Sequence, residues 1–176
     1  MARSSMADLI ALVRDMIGDP AGESATFTDN QIERSLDIHR WDIRYQALKP
    51  LPTVVSGGAE YREWHSEEQY WEADAVLYDG SYHALTPSES DALHGRWVFA
   101  SHQSSVLALG KVYDPYGAAA DLLEMWAGKT ATEYDVEADG ARMNRSQKRQ
   151  ALKELASVYR RQQRILTGRQ IRDDLR

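Results

Sequence analysis

The stretch Tyr113–Leu166 most constrains what this chain can fold into. It opens Tyr-Asp-Pro-Tyr-Gly-Ala-Ala-Ala-Asp-Leu-Leu, and Asp114 followed by Pro115 is the start signal of a helix. A carboxylate can accept from the free N–H groups of the first turn, and proline lacks only an N–H that would be unpaired there. Ala118, Leu122 and Trp126, with Ala119 and Leu123, recur at helical spacing, and Gly128 offers a stop. An acidic, glycine-punctuated link follows. A second helix, capped by Ser146, then carries Ala151, Leu152, Leu155, Val158, Tyr159, Ile165 and Leu166 and ends at Gly168. The first helix is small-faced and can pack closely; the second is basic on its exposed side.

Two further helices are expected upstream. Ser4 or Ser5 can cap one whose stripe is Met6, Leu9, Ile10, Val13, Met16 and Ile17, stopped by Gly18. Thr28 and Gln31 have capping-box spacing, and Phe27 and Ile32 the spacing of a hydrophobic staple. That helix is expected to carry Ile32, Leu36, His39, Ile43 and Ala47 on one face and to end before Pro50 and Pro52. Trp41 and Tyr45 fall off the stripe and are candidate subunit contacts, with a second core layer as the alternative.

From Thr53 to Val112 the pattern changes to aromatic-rich strands, with a tight-turn signal at Asp79-Gly80 and a loop over Thr86–Asp91. Trp64 and Trp71 join the candidate subunit contacts, and outer strand edges can pair with neighbours. The expected fold is α+β and mainly helical: a four-helix body with a small antiparallel sheet inserted between helices 2 and 3. The divisions are an N-terminal helical pair (1–52), the β insertion (53–112), a C-terminal helical pair (113–167) and a flexible tail (168–176). Asp139-Gly140 is a second hairpin-like signal in the link.

Charge is polarised. Arg142 to Arg176 carries eleven Lys and Arg against three Asp and Glu, a net of +8, while the chain totals −6, so the remainder holds −14. Such a molecule can contact copies of itself head to tail or dock its basic end on an acidic partner. The plainer reading is a solvated basic helix. The acidic total disfavours a general nucleic-acid binder, although Arg145, Lys148, Arg149, Arg160, Arg161 and Arg164 can reach DNA phosphates.

The chain has no cysteine, which removes disulfides and thiolate metal sites. No nucleophile elbow, phosphate-cradling loop or zinc spacing occurs. Ser101, His102 and Ser104 are adjacent in sequence without the geometry of a triad. Carboxylates interleave with aromatics over Glu60–Asp74, a pattern open to a sugar site but better read as a solvated acidic face. No cofactor, metal or catalytic residue is expected, and no apolar run reaches membrane-spanning length.

Three stretches carry a family resemblance: Leu9–Pro20 with Phe27–Asp37, Tyr113–Leu123, and Ala138–Gly140 with Arg145–Lys148. Together they resemble the head–tail connector (adaptor, or head-completion) proteins of tailed bacteriophages. The resemblance covers the helical part and leaves out the strand segment. It implies a non-enzymatic virion protein of the phage neck, assembled in the host cytoplasm. It further implies a homo-oligomeric ring, expected as a dodecamer, that binds the portal protein, extends the DNA channel and receives the next neck or tail protein. By that analogy Arg160, Arg161, Arg164, Arg169, Arg172 and Arg176 are candidate portal-docking residues, and genomic DNA would make only passing contact. The alternatives are a DNA-binding or packaging accessory protein using the basic helix, and a ligand-binding module in the aromatic strands.

Overall fold

The computed structural model describes residues 2–55, 58–130, 136–138, 141–143 and 145–164. A 3-10 turn, Ser4–Met6, leads into α1, Ala7–Ile17. The expected serine cap is not made; Ser5 Oγ instead donates to the Glu72 carboxylate at 2.6 Å. Gly18 ends α1 at φ 66°, and its N–H reaches back to the helix carbonyls. Helix α2, Asp29–Ile38, has the full capping box: Thr28 accepts from the Gln31 N–H and Gln31 accepts from the Thr28 N–H. Phe27 and Ile32 are both buried in one cluster, as the staple spacing requires.

After Ile38 the chain departs from expectation. Arg40–Ala47 is a strand, β1, with no helix beyond the His39 cap. Seven more strands follow: β2 Lys49–Val55, β3 Gly58–His65, β4 Val76–Tyr78, β5 Ala84–Leu85, β6 Glu89–Asp91, β7 Arg96–Val98 and β8 Leu107–Tyr113. They form two antiparallel four-stranded sheets, in orders β1-β8-β4-β5 and β2-β3-β7-β6. Leu48 is the joint between them; its N–H bonds Val106 while the strands on either side serve different sheets. The shared core draws Leu77, Ala108 and Val112 from one sheet and Trp64 and Trp97 from the other. Trp71 joins it, edge-on to Trp97 at 5.6 Å between centroids. The strand region is therefore larger than one small sheet and begins at Arg40. With about 39% helix and 28% strand, the chain is α+β without being mainly helical.

Helix α3, Pro115–Thr130, is the axis of the helical body. It runs through Gly128, which does not stop it. Ala118, Ala119, Leu122 and Leu123 are fully buried and meet Leu9 and Val13 of α1, Ile32 and Leu36 of α2, and Leu152 and Ala156 of α4, Arg145–Gln162. Alanines at the contact let helix axes approach closely. Between α3 and α4, β9 (Val136–Ala138) and β10 (Ala141–Met143) pair antiparallel; the Asp139-Gly140 turn lies outside the described residues. Helix α4 ends at Gln162, short of the expected Gly168 stop.

The sheet edges are blunted. Edge strands β5 and β6 have two and three residues. Strand β2 carries Pro50 and Pro52, which present no N–H to a newcomer. Strand β1 shifts register between Ile43 and Gln46, with Tyr45 at φ 50°. The open edges expected from sequence are thus poor templates for a neighbour's strand.

Candidate functional site

Tyr113, Asp114, Gly117 and Asp121 each fix a junction. Asp114 Oδ1 accepts from the N–H groups of Tyr116 and Gly117 at 3.0 and 3.2 Å, capping α3. Its Oδ2 accepts from the Arg164 N–H at 2.9 Å, just past the end of α4. Gly117 lies against His39: a Cβ there would sit 2.7 Å from Nδ1. His39 Nε2 bonds Asp121 Oδ2 at 2.7 Å. Asp121 also pairs with Arg160, which reaches Glu124 Oε2 at 3.0 Å. The end of α4, the start of α3 and the end of α2 therefore meet in one polar knot.

Arg164, the last described residue, is held three ways. Its guanidinium lies over the Trp41 ring at 4.6 Å, takes Glu68 in a two-pronged ion pair, and its backbone is bound by Asp114. Hydrogen bonds donated to the neighbouring acids raise both arginines above the ordinary guanidinium range, chiefly through Glu124 at Arg160 and Glu68 at Arg164. Beside Arg164 lies an open cleft of about 230 Å³, bounded by Trp41, Glu68, Tyr70, Tyr116 and Gln162. Burial, followed by a hydrogen bond to Tyr116, pushes the Tyr70 phenol up to about 12.

Glu72 ties the helical body to the sandwich. Its carboxylate has no solvent exposure. It accepts from Ser5 Oγ and Tyr113 Oη, each at 2.6 Å, and from Lys111 Nζ at 3.2 Å, with Arg3 Nε 3.6 Å away. Burial alone drives a carboxyl upward, yet the hydrogen bonds from Ser5, Tyr113 and Lys111 and the Arg3 charge outweigh it and hold Glu72 below its ordinary value. Burial and the same carboxylate push the Tyr113 phenol well up.

The sequence-predicted residues therefore separate. Of the candidate docking arginines, Arg160 and Arg164 are paired with this chain's own acids, although Arg164 stays exposed, whereas Arg161 is exposed and makes no ion pair among the described residues. Arg149 and Lys153 share the solvated side of α4 and, like Arg161, have no ion pair among the described residues. Arg169, Arg172 and Arg176 lie outside the described residues. Of the aromatic contacts, Tyr45 is exposed and clustered with Tyr78 and Tyr82 at 5.6 and 5.2 Å. Trp41 is half-buried beneath Arg164. Trp64 and Trp71 are buried sandwich core, so neither offers a surface to a neighbour. Aromatic residues on short strands read alike whether they face a core or a partner.

Sequence reasoning missed the acids Glu68, Asp121 and Glu124 as partners of the arginines, because the pairs are separated by 36 to 96 positions. It also missed an open groove of about 600 Å³ between α2 and α3, lined by Ile38, Met125, Gln31, Arg34, Asp121 and Glu124. Among the described residues no three His, Asp or Glu side chains converge as a metal site would require, and no helix is long and apolar enough to cross a membrane. Comparison with protein-family models, curated proteins and solved structures finds no match.

Proposed function

We propose that this chain is a structural adaptor of the phage neck, a ring subunit that docks on the portal and offers a surface to the next neck or tail protein. One observation carries the reading. The Tyr113–Leu123 stretch, which bears the resemblance to connector proteins, anchors the last described part of the basic C-terminal segment: Asp114 holds Arg164 and Asp121 holds Arg160. An assembly part needs such a fixed anchor for its docking segment. The exposed basic side of α4 supplies the first contact with an acidic partner, and the acidic remainder of the chain suits a channel along which DNA slides. A ring needs two different patches per subunit, and this molecule presents unlike surfaces on its helical and strand regions.

The test mixes the chain with the portal of the same virion. Mass photometry and cryo-EM are expected to show a closed ring on the portal and mainly monomer without it. A tight dimer indifferent to portal would overturn the proposal. Deleting Gly168–Arg176 is expected to weaken portal binding and leave the melting temperature unchanged.

A second reading, a DNA-packaging accessory, has its own observation in the solvated Arg149, Lys153 and Arg161, which make no ion pair among the described residues. It requires duplex affinity that falls steeply with salt; salt-independent or undetectable binding removes it.

A further inference from the structure

The outer half of the β2–β3 hairpin stands off the sandwich. Leu51 to Val54 on one strand and Gly58 and Ala59 on the other are exposed on both faces, although the strands stay paired as far as Val55 and Gly58. Pro52 is still opposite Tyr61, which packs on the sandwich, so at roughly 3.3 Å per residue Thr53 to Val55 reaches about 10 Å beyond it. No charged residue occurs from Pro50 to Ala59, in a chain that is 27% charged. Val54 is 87% exposed and Leu51 50%, and charge is what normally keeps such an arm in water. Pro50 and Pro52 remove two N–H donors from its β2 edge, and its exposed apolar side chains remain to be covered.

A matching receptor exists on another face. The α2–α3 groove has Ile38, 73% exposed, and Met125, 48% exposed, at its centre, with Gln31, Arg34, Asp121 and Glu124 around them. An apolar centre with a polar rim is the anatomy of a protein–protein contact. Its occupant must be apolar and uncharged to leave the rim solvated. Among the described residues the hairpin tip has that chemistry, and it lies in the strand region, outside the helical body that holds the groove. A projection on one face and a recess on another make a heterologous contact, the kind that propagates from copy to copy.

We propose that the β2–β3 arm of one copy seats Val54 in the α2–α3 groove of the next copy, over Ile38 and Met125. The inference rests on the ring reading and names the contact that would build the ring.

The absence of native cysteine makes the test direct. Val54→Cys, Ile38→Cys and a control, Glu23→Cys on an exposed turn, are purified separately; all three sites are exposed, so the fold is not at stake. Pairs are mixed at high concentration under mild oxidation and the disulfide dimer is timed. V54C with I38C is expected to couple at least about tenfold faster than V54C with E23C, because docking raises the effective concentration of the two thiols. Equal rates overturn the proposal, as does V54C coupling fastest to itself, which would mean tip-to-tip contact. The double variant V54C/I38C then separates this inference from the reading beneath it. A disulfide-closed species of one mass supports both. An open ladder of all lengths keeps the arm-and-groove contact and ends the ring reading. Closed rings on the portal without the disulfide keep the ring and end the arm assignment.

Discussion

At the scale of single residues, Glu72 separates two effects that oppose each other. A carboxylate removed from water is disfavoured, yet three donors and a guanidinium hold it ionised. Glu72→Gln keeps the shape and removes the charge that Ser5, Tyr113 and Lys111 address. Charge-assisted hydrogen bonds contribute about 1.5–3 kcal/mol each in favourable cases. Because Lys111 and Arg3 can turn partly to solvent, the expected net loss is about 2–3 kcal/mol, read from urea unfolding. The pH dependence follows from the sign of the shift. The folded carboxyl titrates below its ordinary 4.5, so its stabilisation is complete above that value. It is lost as pH falls from there through the folded pKa. The native chain should therefore lose melting temperature on acidification more steeply than E72Q. Parallel curves would show that Glu72 is not the linked group. Nothing in the sequence sets Glu72 apart, because it sits in a run with Glu67, Glu68 and Asp74 that reads as one solvated face. Its burial comes from Trp71 entering the sandwich beside it and from Tyr113 arriving 41 positions later.

At the scale of elements, edge chemistry on β2 is open to test. Replacing Pro50 and Pro52 with threonine restores two N–H donors to an exposed edge and raises strand propensity. The fold should survive, since the β3 side of the ladder is unchanged. Light scattering and thioflavin fluorescence on incubation should rise well above the native chain's; no rise would mean the arm is already shielded. Elements whose signals are local were legible in the sequence: the Thr28–Gln31 box, the Gly18 stop and the Asp114-Pro115 start each involve residues within one turn. Strand β1 was not. Ile32, Leu36, His39, Ile43 and Ala47 keep a helical period across a boundary that only tertiary structure draws. Trp41 and Ile43, two apart, carry the competing strand period, and pairing with β8 decides between them. The Gly128 stop failed for a related reason. Thr130 Oγ1 bonds the carbonyls of Trp126 and Ala127 and is itself buried, so the helix continues past the glycine into packed surroundings.

At the scale of the whole molecule, polarity of charge is the property most readily altered. Arg149, Lys153 and Arg161 make no ion pair among the described residues, so the triple change to glutamate should lower the melting temperature by no more than about 5 °C, each surface substitution costing at most about 0.5 kcal/mol. Portal binding should drop at least about tenfold and lose most of its salt dependence, as expected for contacts between solvated charges. Retained binding would move the docking contact to the residues beyond Arg164. The charge division was legible by counting, whereas the pairing of Arg160 and Arg164 depends on which acids α3 and the β3–β4 connection bring alongside.

Asp114 divides its two oxygens between the first turn of α3 and the chain just past α4, and the neighbouring Tyr113 grips Glu72 inside the sandwich. A pull on the C-terminus therefore enters the molecule at the root of its central helix and runs straight on to the strand region, bypassing the length of α4. Under tension, the helical and strand halves would be strained together, and the last helix would peel away only after that shared anchor had yielded.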